Sequence, residues 1–296
     1  MLAIRCCAPS SGTIHRFHGS DHRPWGYDNH TEDVIRSYLV TRYKMAPSLV
    51  AAGQATAETG FPFVARADLF WPEFKGLASD NTQYIFINDT LVAPIWDSST
   101  NGTTRDVWVP PGTWHDAWDG SVVTGPKSLT TRAMPYEQQP MWHRDGSLIV
   151  MTDKPGLRIE TQDWSELTLD AFPTAGASDT RRSVFALKTA VKTDVAMQND
   201  GDGKASFSIS TAADGSARSW MLRLHLKPGQ RVVSATVDDV ALALSAVAHI
   251  APVKSVDTPF FPFGGVGTAP AANAGHIAEI TLASGAHARS VEVVIA

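Results

Sequence analysis

The sequence predicts a mainly β protein that begins with one helical segment. Two observations support this prediction. Residues recur at helical spacing between about positions 31 and 59, whereas the chain after Gly60 consists of short apolar or alternating runs separated by turn signals. Many short strands with closely spaced turns are typical of β-sandwiches and barrels.

The helical segment at 31–59 has its own start, break and stop signals. Thr31, followed by two acidic residues, predicts the N-terminal cap, and Gly60 predicts the end. Pro47 predicts a kink or a break into two helices near Ala46. The side chains that recur three and four residues apart on one face are Val34, Ile35, Tyr38, Leu39, Arg42, Met45 and Leu49.

Strands are predicted wherever apolar or alternating runs lie between turn signals. They are expected at 61–69, 83–87, 91–95, 106–109, 148–151, 184–192, 205–210, 220–226 and 232–237. Turns are expected at 88–89, 101–102, 111–112, 119–120, 145–146, 200–201 and 214–215. Residues 241–247 suit a strand or a short helix, 258–275 a loop, and 290–295 a closing edge strand.

Composition excludes several classes of function. The 296 residues are 43% hydrophobic and 19% charged, which is enough for the cores of two or three domains. The net charge is −5 and the cations are scattered, so no nucleic-acid partner is expected. No apolar run approaches the ~20 residues of a membrane helix, so no membrane partner is expected either.

No metal or cofactor is expected from the Cys and His residues. Cys6 and Cys7 are adjacent and belong to no metal-ligand spacing, so neither a disulfide framework nor a zinc site is implied. His15, His22 and His30 lie seven and eight residues apart without a matched Cys or carboxylate. The N-terminal residues make a poor signal peptide, which leaves the localisation open.

Six segments between about residues 14 and 151 carry a family resemblance. They are Arg16-Phe17-His18-Gly19-Ser20 with Arg23-Pro24-Trp25-Gly26-Tyr27-Asp28; Arg42 to Pro47; Gly60-Phe61-Pro62 to Arg66 with Phe70-Trp71-Pro72; Gln83-Tyr84 with Leu91 to Ile95; Val109 to Gly120; and Pro140 to Ile149. In this order they resemble the C-terminal part of glycoside hydrolase family 31, the first segment being similar to its α-xylosidase-like members.

The resemblance implies the end of a (β/α)₈ barrel followed by two C-terminal β-sandwich domains. Such a barrel takes about 250 residues, whereas only about 60 precede the first sandwich here. The implied domains are therefore a barrel remnant at 1–60, a proximal β-sandwich at 61–152 and a distal β-sandwich domain at 153–296. Within the remnant, 11–18 would be the last strand and 31–59 the helix after it.

The resemblance also implies retaining hydrolysis of α-linked sugars by two aspartates. The family places both before the segment that begins at Arg16, and none of the fifteen residues before Arg16 is Asp or Glu. No catalytic residue is therefore assigned, and no hydrolysis by these 296 residues alone is expected. Asp21 and Asp28 could face each other as a substitute pair, but nothing in the sequence favours that. Glu32 and Asp33 are better explained as helix-start residues.

Three residues are expected to bind the carbohydrate substrate, namely His18, Trp25 and Arg16. The resemblance implies that His18 hydrogen-bonds sugar hydroxyls, for which an imidazole offers one donor and one acceptor. His18 could instead fill a polar gap. Trp25 could stack on a sugar ring or pack the barrel mouth, and Arg23 could form an ion pair with Asp21 or Asp28 that holds the loop.

The alternative function is a non-catalytic β-sandwich module that binds carbohydrate or a partner protein. Trp108, Trp114, Trp118 and Trp142 suggest sugar binding, but the hairpin motif around Trp114 and Trp118 favours structural packing. A further expectation concerns the helix at 31–59. Its apolar face would normally pack on a barrel, so it is expected to be exposed and to allow association.

Overall fold

The computed structural model describes residues 26, 28–78, 82–95, 104–131, 133–134, 138–156, 158–185, 192–211, 217–250, 277–285 and 287–296. Strands predominate among them, which confirms the predicted mainly β class. The helices are α1 at Asn29–Lys44, α2 at Ala46–Thr59 and the short α3 at Lys75–Ala78. Short 3₁₀ turns lie at Ala67–Leu69, Pro72–Phe74, Ile159–Thr161 and Leu244–Ala246.

The break in the predicted helix is confirmed. Met45 separates α1 from α2, and Pro47 lies in the first turn of α2, where its missing N–H costs no hydrogen bond. Gly60 ends α2 with a φ of 75°, as predicted. The expected cap was wrong by three residues: Asp28, not Thr31, caps α1, because its carboxylate accepts the hydrogen bond of the Thr31 N–H.

The described strands are listed here in chain order. They are β1 Val64–Ala65, β2 Tyr84–Phe86, β3 Thr90–Val92, β4 Asp106–Asp116, β5 Val122–Thr130, β6 Met141–Arg144, β7 Leu148–Thr152, β8 Glu166–Ala171, β9 Ser178–Phe185, β10 Lys192–Asn199, β11 Lys204–Ile209, β12 Arg218–His225, β13 Val232–Val237, β14 Val240–Ala241, β15 Ala248–Ile250, β16 Ile277–Gly285 and β17 Arg289–Ile295.

These strands form three sheets. The first sheet has the order β1-β2-β3-β6-β4-β5 and is antiparallel. The second has the order β15-β16-β12-β8-β7, in which only β8 and β12 run parallel. The third has the order β14-β13-β17-β11-β10-β9 and is antiparallel. Strand β7 therefore pairs with β8 and joins the second sheet rather than the first.

Several strand predictions were wrong in detail. Residues 61–69 contain only the two-residue β1 and a 3₁₀ turn. The turn expected at 111–112 is instead a bulge within β4, where Gly112 has a φ of 114° and the prolines before it cannot donate to a ladder. The strand at 290–295 is not an edge, because β17 lies between β13 and β11. Residues 241–247 divide into the end of β14 and a 3₁₀ turn.

Other predictions fare differently. The turns at 119–120 and 145–146 are confirmed. Strands β5, β6, β8, β15 and β16 were not predicted at all. In β5 every side chain is exposed or half-buried, which leaves little apolar pattern to detect. The turns at 101–102 and 214–215 and the loop at 258–275 lie outside the described residues.

The sheets enclose three apolar clusters. The second and third sheets share one core, which draws Leu169, Leu222 and Ile280 from one sheet and Met197 and Phe207 from the other. A second cluster joins the first sheet to α1 and to β7, and a third lies between the first sheet and the 3₁₀ turns at 67–74. The first sheet therefore buries side chains on both of its faces.

The expected exposure of the helical apolar face was largely wrong. Val34, Ile35, Tyr38 and Met45 are buried, and three of them belong to the cluster that contains Phe86 and Ile149. The reason is tertiary: the first sheet and β7 provide a surface that covers this side of α1. The large hydrophobic residues that remain exposed on α1 are Leu39, Val40 and Tyr43, at 37%, 42% and 38% of their surface.

Candidate functional site

The expected substrate-binding residues His18, Arg16 and Trp25 lie outside the described residues, and so do Asp21 and Arg23. The same motif ends at Asp28, which is described. Asp28 precedes the first residue of α1, so the structure fixes the point at which the expected substrate loop joins a helix.

Asp28 acts as a helix cap. Its two carboxylate oxygens accept hydrogen bonds from the Thr31 N–H at 2.9 Å and the Thr31 hydroxyl at 3.0 Å. These bonds favour the ionised carboxylate, so the Thr31 N–H and hydroxyl lower the pKa of Asp28. A capped helix start holds the end of the preceding loop in a defined direction.

The junction of α1 and α2 is attached to the second sheet. The Ser48 hydroxyl donates to the Val150 carbonyl at 2.9 Å and accepts from the Val150 N–H at 2.8 Å. The Gln162 side chain donates to the carbonyl of Tyr43 at 3.1 Å, near the end of α1. Strand β7 lies at the edge of its sheet, so Ser48 satisfies backbone groups that would otherwise be unpaired.

Gln83 satisfies unpaired backbone groups of the first sheet, as Ser48 does for the second. Its buried amide donates to the Trp108 carbonyl at 2.8 Å and accepts from the Trp108 N–H at 3.0 Å. Strand β4 pairs with β6 only from Trp114 onwards, so the amide serves the part of β4 that lacks this neighbour. The first residue of the Gln83-Tyr84 motif is therefore structural.

The tryptophans of the hairpin motif are structural as well. Trp114 is buried and its indole N–H donates to the Pro110 carbonyl at 2.9 Å, while the indole N–H of Trp118 donates to the Gln139 carbonyl at 2.6 Å. Trp108 and Trp142 are also buried. A sugar-stacking platform requires an exposed aromatic face, and none of these four rings offers one.

A buried cluster that the sequence did not suggest lies between the first and second sheets. We name it the histidine junction, and it consists of His115, His143, His225 and Phe172. The Phe172 ring stacks on His225 with centroids 4.3 Å apart, and it lies 4.8 Å from His143 and 5.5 Å from His115. His143 is completely buried.

Strand register explains the first half of this cluster. Thr90, His143 and His115 are direct cross-strand partners on β3, β6 and β4, so their side chains form a row on one face of the first sheet. The Thr90 hydroxyl lies 3.0 Å from Nδ1 of His143. Phe172 follows β8, and it approaches this row from the second sheet.

Charged groups surround the row. Asp145 contacts both Nε2 of His115 and, at 2.7 Å, the Lys227 ammonium. Nε2 of His225 lies 2.7 Å from Asp170, which is fully buried. Arg223 approaches Asp170 at 3.5 Å and Glu279 at 2.7 Å.

Burial shapes the acid–base behaviour of the junction. It lowers the pKa of His143 well below its ordinary value, and the neighbouring His225 and His115 lower it further. Burial also lowers the pKa of His225, although the hydrogen bond to Asp170 opposes this. These two imidazoles are therefore neutral at pH 7.

A groove of about 1190 Å³ lies between α2 and the third sheet. Charged side chains on its walls are paired: Arg182 with Asp89, Lys192 with Asp194, and Arg289 with Asp238. Burial raises the pKa of Asp89, and the attraction of Arg182 opposes this shift. The groove presents one aromatic side chain, Phe185, among small and polar residues.

The described residues contain neither a metal-binding cluster nor a membrane-spanning helix. Within the described ranges, no three or more His, Cys, Asp or Glu side chains come together in a way that could bind a metal ion. None of the helices described is both long enough and apolar enough to cross a membrane.

Residues 60–149 match the family model described as the glycosyl hydrolase family 31 C-terminal domain. The chain carries a family 31 C-terminal domain. The resemblance of the chain to the C-terminal part of a family 31 glycoside hydrolase is thereby confirmed, since its curated relatives bear the names of such enzymes.

Two relatives and one solved structure illustrate the similarity. A 1,6-alpha-glucosyltransferase of Sporosarcina globispora is 24% identical over 75% of this chain and 18% of its own length. Alpha-xylosidase XylQ of Lactiplantibacillus pentosus is 28% identical over 47% of this chain and 18% of its own. The cycloalternan-forming enzyme from Listeria monocytogenes, solved in complex with a pentasaccharide substrate, has a TM-score of 0.74 at 19% identity, covering 99% of this chain and 27% of that one.

The extent of these matches defines what they show. The chain spans about a fifth of the length of the curated relatives it matches. At 19% identity the structural likeness shows the fold alone, over nearly the whole of the chain and including α1 and α2. Gln83 and Trp114 lie inside the matched range, whereas the helix cap Asp28 lies outside it.

The histidine junction is the feature that sequence reasoning missed. His115 and His143 occur within two of the family-like segments, yet nothing in their spacing indicated that they meet. His225 is 82 positions after His143 in the chain (225 − 143). Only the pairing of β4 with β6 and the approach of the second sheet bring the three imidazoles together.

Proposed function

We propose that this chain is the C-terminal part of a family 31 α-glycosidase, an enzyme that hydrolyses O-glycosyl bonds of α-linked sugars with retention. The match of residues 60–149 to the family's C-terminal domain is the observation that carries the proposal. The names of curated relatives, among them alpha-glucosidase 2 of Bacillus thermoamyloliquefaciens, agree with it.

The domain division proposed for this chain follows from the same likeness. Residues 1–60 would be a barrel remnant, 61–152 the proximal β-sandwich and 153–296 the distal β-sandwich domain. The shared core of the second and third sheets supports a sandwich in the last of these. The pairing of β7 with β8 means that the strand at the proposed boundary contributes to the distal sheet.

The proposed chemistry requires two catalytic carboxylates, and the family resemblance places both of them before the segment that begins at Arg16. Retaining hydrolysis needs two carboxyl groups about 5–5.5 Å apart. Asp28, the described acid nearest the expected substrate motif, is occupied as a helix cap. His18, Arg16 and Trp25 would contact the sugar, and the 296-residue chain alone would bind substrate without turning it over.

The test is hydrolysis by the purified chain. We expect release of 4-nitrophenol from aryl α-glucosides and α-xylosides at the buffer rate, with and without the substitution His18→Ala. Turnover that His18→Ala abolishes would overturn the claim of inactivity. Nucleotide sequence upstream of Met1 tests the family proposal separately, because an in-frame barrel with its two aspartates would support it, and a stop codon with a promoter would sink it.

Association through α1 is part of the proposal. The exposed residues Leu39, Val40 and Tyr43 form a short apolar strip that would meet the rest of the barrel. In its absence we expect weak self-association, measured by light scattering after size exclusion. Val40→Glu should reduce it, whereas Val240→Glu, at an exposed position on β14, should not. Equal effects of the two substitutions would contradict a role for α1.

The alternative of a carbohydrate-binding module finds little support in the described residues. Every tryptophan among them is buried, namely Trp71, Trp108, Trp114, Trp118, Trp142, Trp164 and Trp220. The groove beside α2 offers only Phe185 as an aromatic surface.

A further inference from the structure

The histidine junction occupies the contact between the first sheet and the rest of the chain. Its two halves come from different sheets: His115 and His143 belong to β4 and β6, whereas Phe172 and His225 follow and end β8 and β12. The backbone of Phe172 is fixed to the turn after β6, because Gly146 N–H donates to its carbonyl at 2.7 Å and its own N–H donates to Ser147 at 3.0 Å.

Three imidazoles lie around one phenyl ring, with centroid separations between 4.3 and 5.5 Å. Imidazoles that share such a small, dry volume repel one another when more than one is protonated, and the low dielectric strengthens that repulsion. Protonation would therefore weaken the contact between the two sheets in two ways, through the cost of burying a charged imidazole and through repulsion between charged imidazoles.

Most of the charges facing the junction are paired. Asp145 from the β6–β7 turn faces His115 and is paired with Lys227. Asp170 of β8 faces His225 and shares Arg223 of β12 with Glu279 of β16. Three carboxylates and two cations leave one negative charge over, so a single added proton is balanced and a second is not.

One further ion pair links the first sheet to the third sheet, close to Thr90. Asp89, in the β2–β3 turn, pairs with Arg182 of β9. Burial raises the pKa of Asp89, which makes its response to acid opposite in sign to that of the imidazoles.

We propose that the histidine junction is an acid-sensitive joint, and that protonation of His143 and His225 loosens the contact between the first sheet and the second sheet while the strands within each sheet stay paired. The three imidazoles around Phe172, the paired charges behind them and their position between two sheets carry the proposal. It does not depend on the proposed glycosidase function.

The direction of the pH effect follows from the acid–base behaviour of the junction. Separated sheets expose His143 and His225 to water, where their pKa lies near 6.5, whereas the closed joint holds both pKa values lower. The open form therefore binds more protons below pH 6.5. Each such imidazole shifts the equilibrium towards the open form by up to about tenfold per pH unit, down to its lowered pKa.

The experiment is small-angle scattering of the 296-residue chain at pH 7.5 and pH 5.0, at constant ionic strength, with far-ultraviolet circular dichroism on the same samples. We expect a larger radius of gyration at pH 5.0 with an unchanged dichroism spectrum, and reversal at pH 7.5. An unchanged radius overturns the proposal, and so does an expansion accompanied by loss of the β spectrum, which would be general unfolding.

Variants assign the effect to the junction. His225→Gln and His143→Gln each remove one titrating imidazole and should reduce the expansion at pH 5.0, with an up to tenfold smaller shift per pH unit in the opening equilibrium. His287→Gln, at an exposed position, is the matched control and should behave as the wild type. Equal expansion in all three variants overturns the assignment. If His143→Gln or His225→Gln fails to fold, the scattering of the wild-type chain at the two pH values still tests the proposal.

Discussion

Ser48 provides the sharpest test of how the helices attach to the sheets. Its hydroxyl makes two hydrogen bonds to the backbone of Val150, at 2.9 and 2.8 Å, on the open edge of β7. Ser48→Ala removes both and leaves a buried N–H and a buried carbonyl without this partner. Each such group costs about 1–3 kcal/mol.

The expected magnitude follows from these contributions. Two unpaired groups at the low end of the range reduce the free energy of unfolding by about 2–3 kcal/mol. The better helix propensity of alanine offsets about 0.5 kcal/mol of this loss. Water can reach this edge from the groove beside α2, which Ser48 and Val150 both line, and this keeps the cost at the low end. We expect a loss of about 2 kcal/mol and a fall in Tm of roughly 4 °C or more.

The assay is urea unfolding followed by tryptophan fluorescence, together with thermal unfolding at pH 7.5. Ser37→Ala is the matched control: it makes the same substitution on α1, where the hydroxyl bonds only to Val34 of its own helix. A Ser48→Ala protein that unfolds within about 0.5 kcal/mol of Ser37→Ala would refute the reasoning, because changes of that size are ordinary for surface positions.

Two further predictions concern the other structural residues of the family-like motifs. Gln83→Leu should lower Tm by a similar amount, because it removes both hydrogen bonds to Trp108. The control is Gln54→Leu on the exposed side of α2, which should leave Tm unchanged. Equal Tm values for the two variants would contradict the structural role of Gln83. Asp28→Ala should increase amide exchange in the first turn of α1, and Asp28→Asn should preserve protection because its amide oxygen still accepts from Thr31. The contribution of Asp28 to the stability of the first helical turn is fully present above the ordinary pKa of 3.8, and it should fade as the pH falls through the lowered pKa of Asp28. Equal amide exchange in the wild type and in Asp28→Ala at neutral pH would rule out the cap.

The sequence allowed the helical part of the fold to be predicted because its signals are local. Pro47 cannot donate a backbone hydrogen bond, and Gly60 adopts a positive φ without strain, so the break and the end of the helices follow from single residues. The cap was misplaced because Asp28 and Thr31 are both good cap residues, and only the geometry shows which one accepts the hydrogen bond.

The strands were predicted where apolar residues are dense and missed where they are not. Strand β7 is fully buried and has an unmistakable apolar run, whereas β5 alternates between exposed and half-buried positions and contains Gly125 and Pro126. The position of a strand within its sheet could not be predicted from the sequence. Strand β17 reads as an edge strand from its sequence, yet long-range pairing with β13 and β11 places it inside the third sheet.

The candidate site divides in a similar way. The ordered motifs pointed to a family 31 C-terminal part, and the match of residues 60–149 confirmed it. The expected sugar contacts His18, Trp25 and Arg16 remain predictions, since they lie outside the described residues. The reading of Trp114 and Trp118 as packing residues agrees with their burial and with the carbonyls that their indole N–H groups bind.

The sequence by itself determined the mainly β class, the helix break at Pro47 and the resemblance to the C-terminal part of family 31, since these depend on local conformational preferences and on motif order. The tertiary structure alone decided which backbone edges Ser48 and Gln83 satisfy. It also decided that His115, His143 and His225 meet at Phe172. The physical reason is that such contacts join residues tens to more than a hundred positions apart, and sheet register, which brings them together, leaves no trace in their spacing.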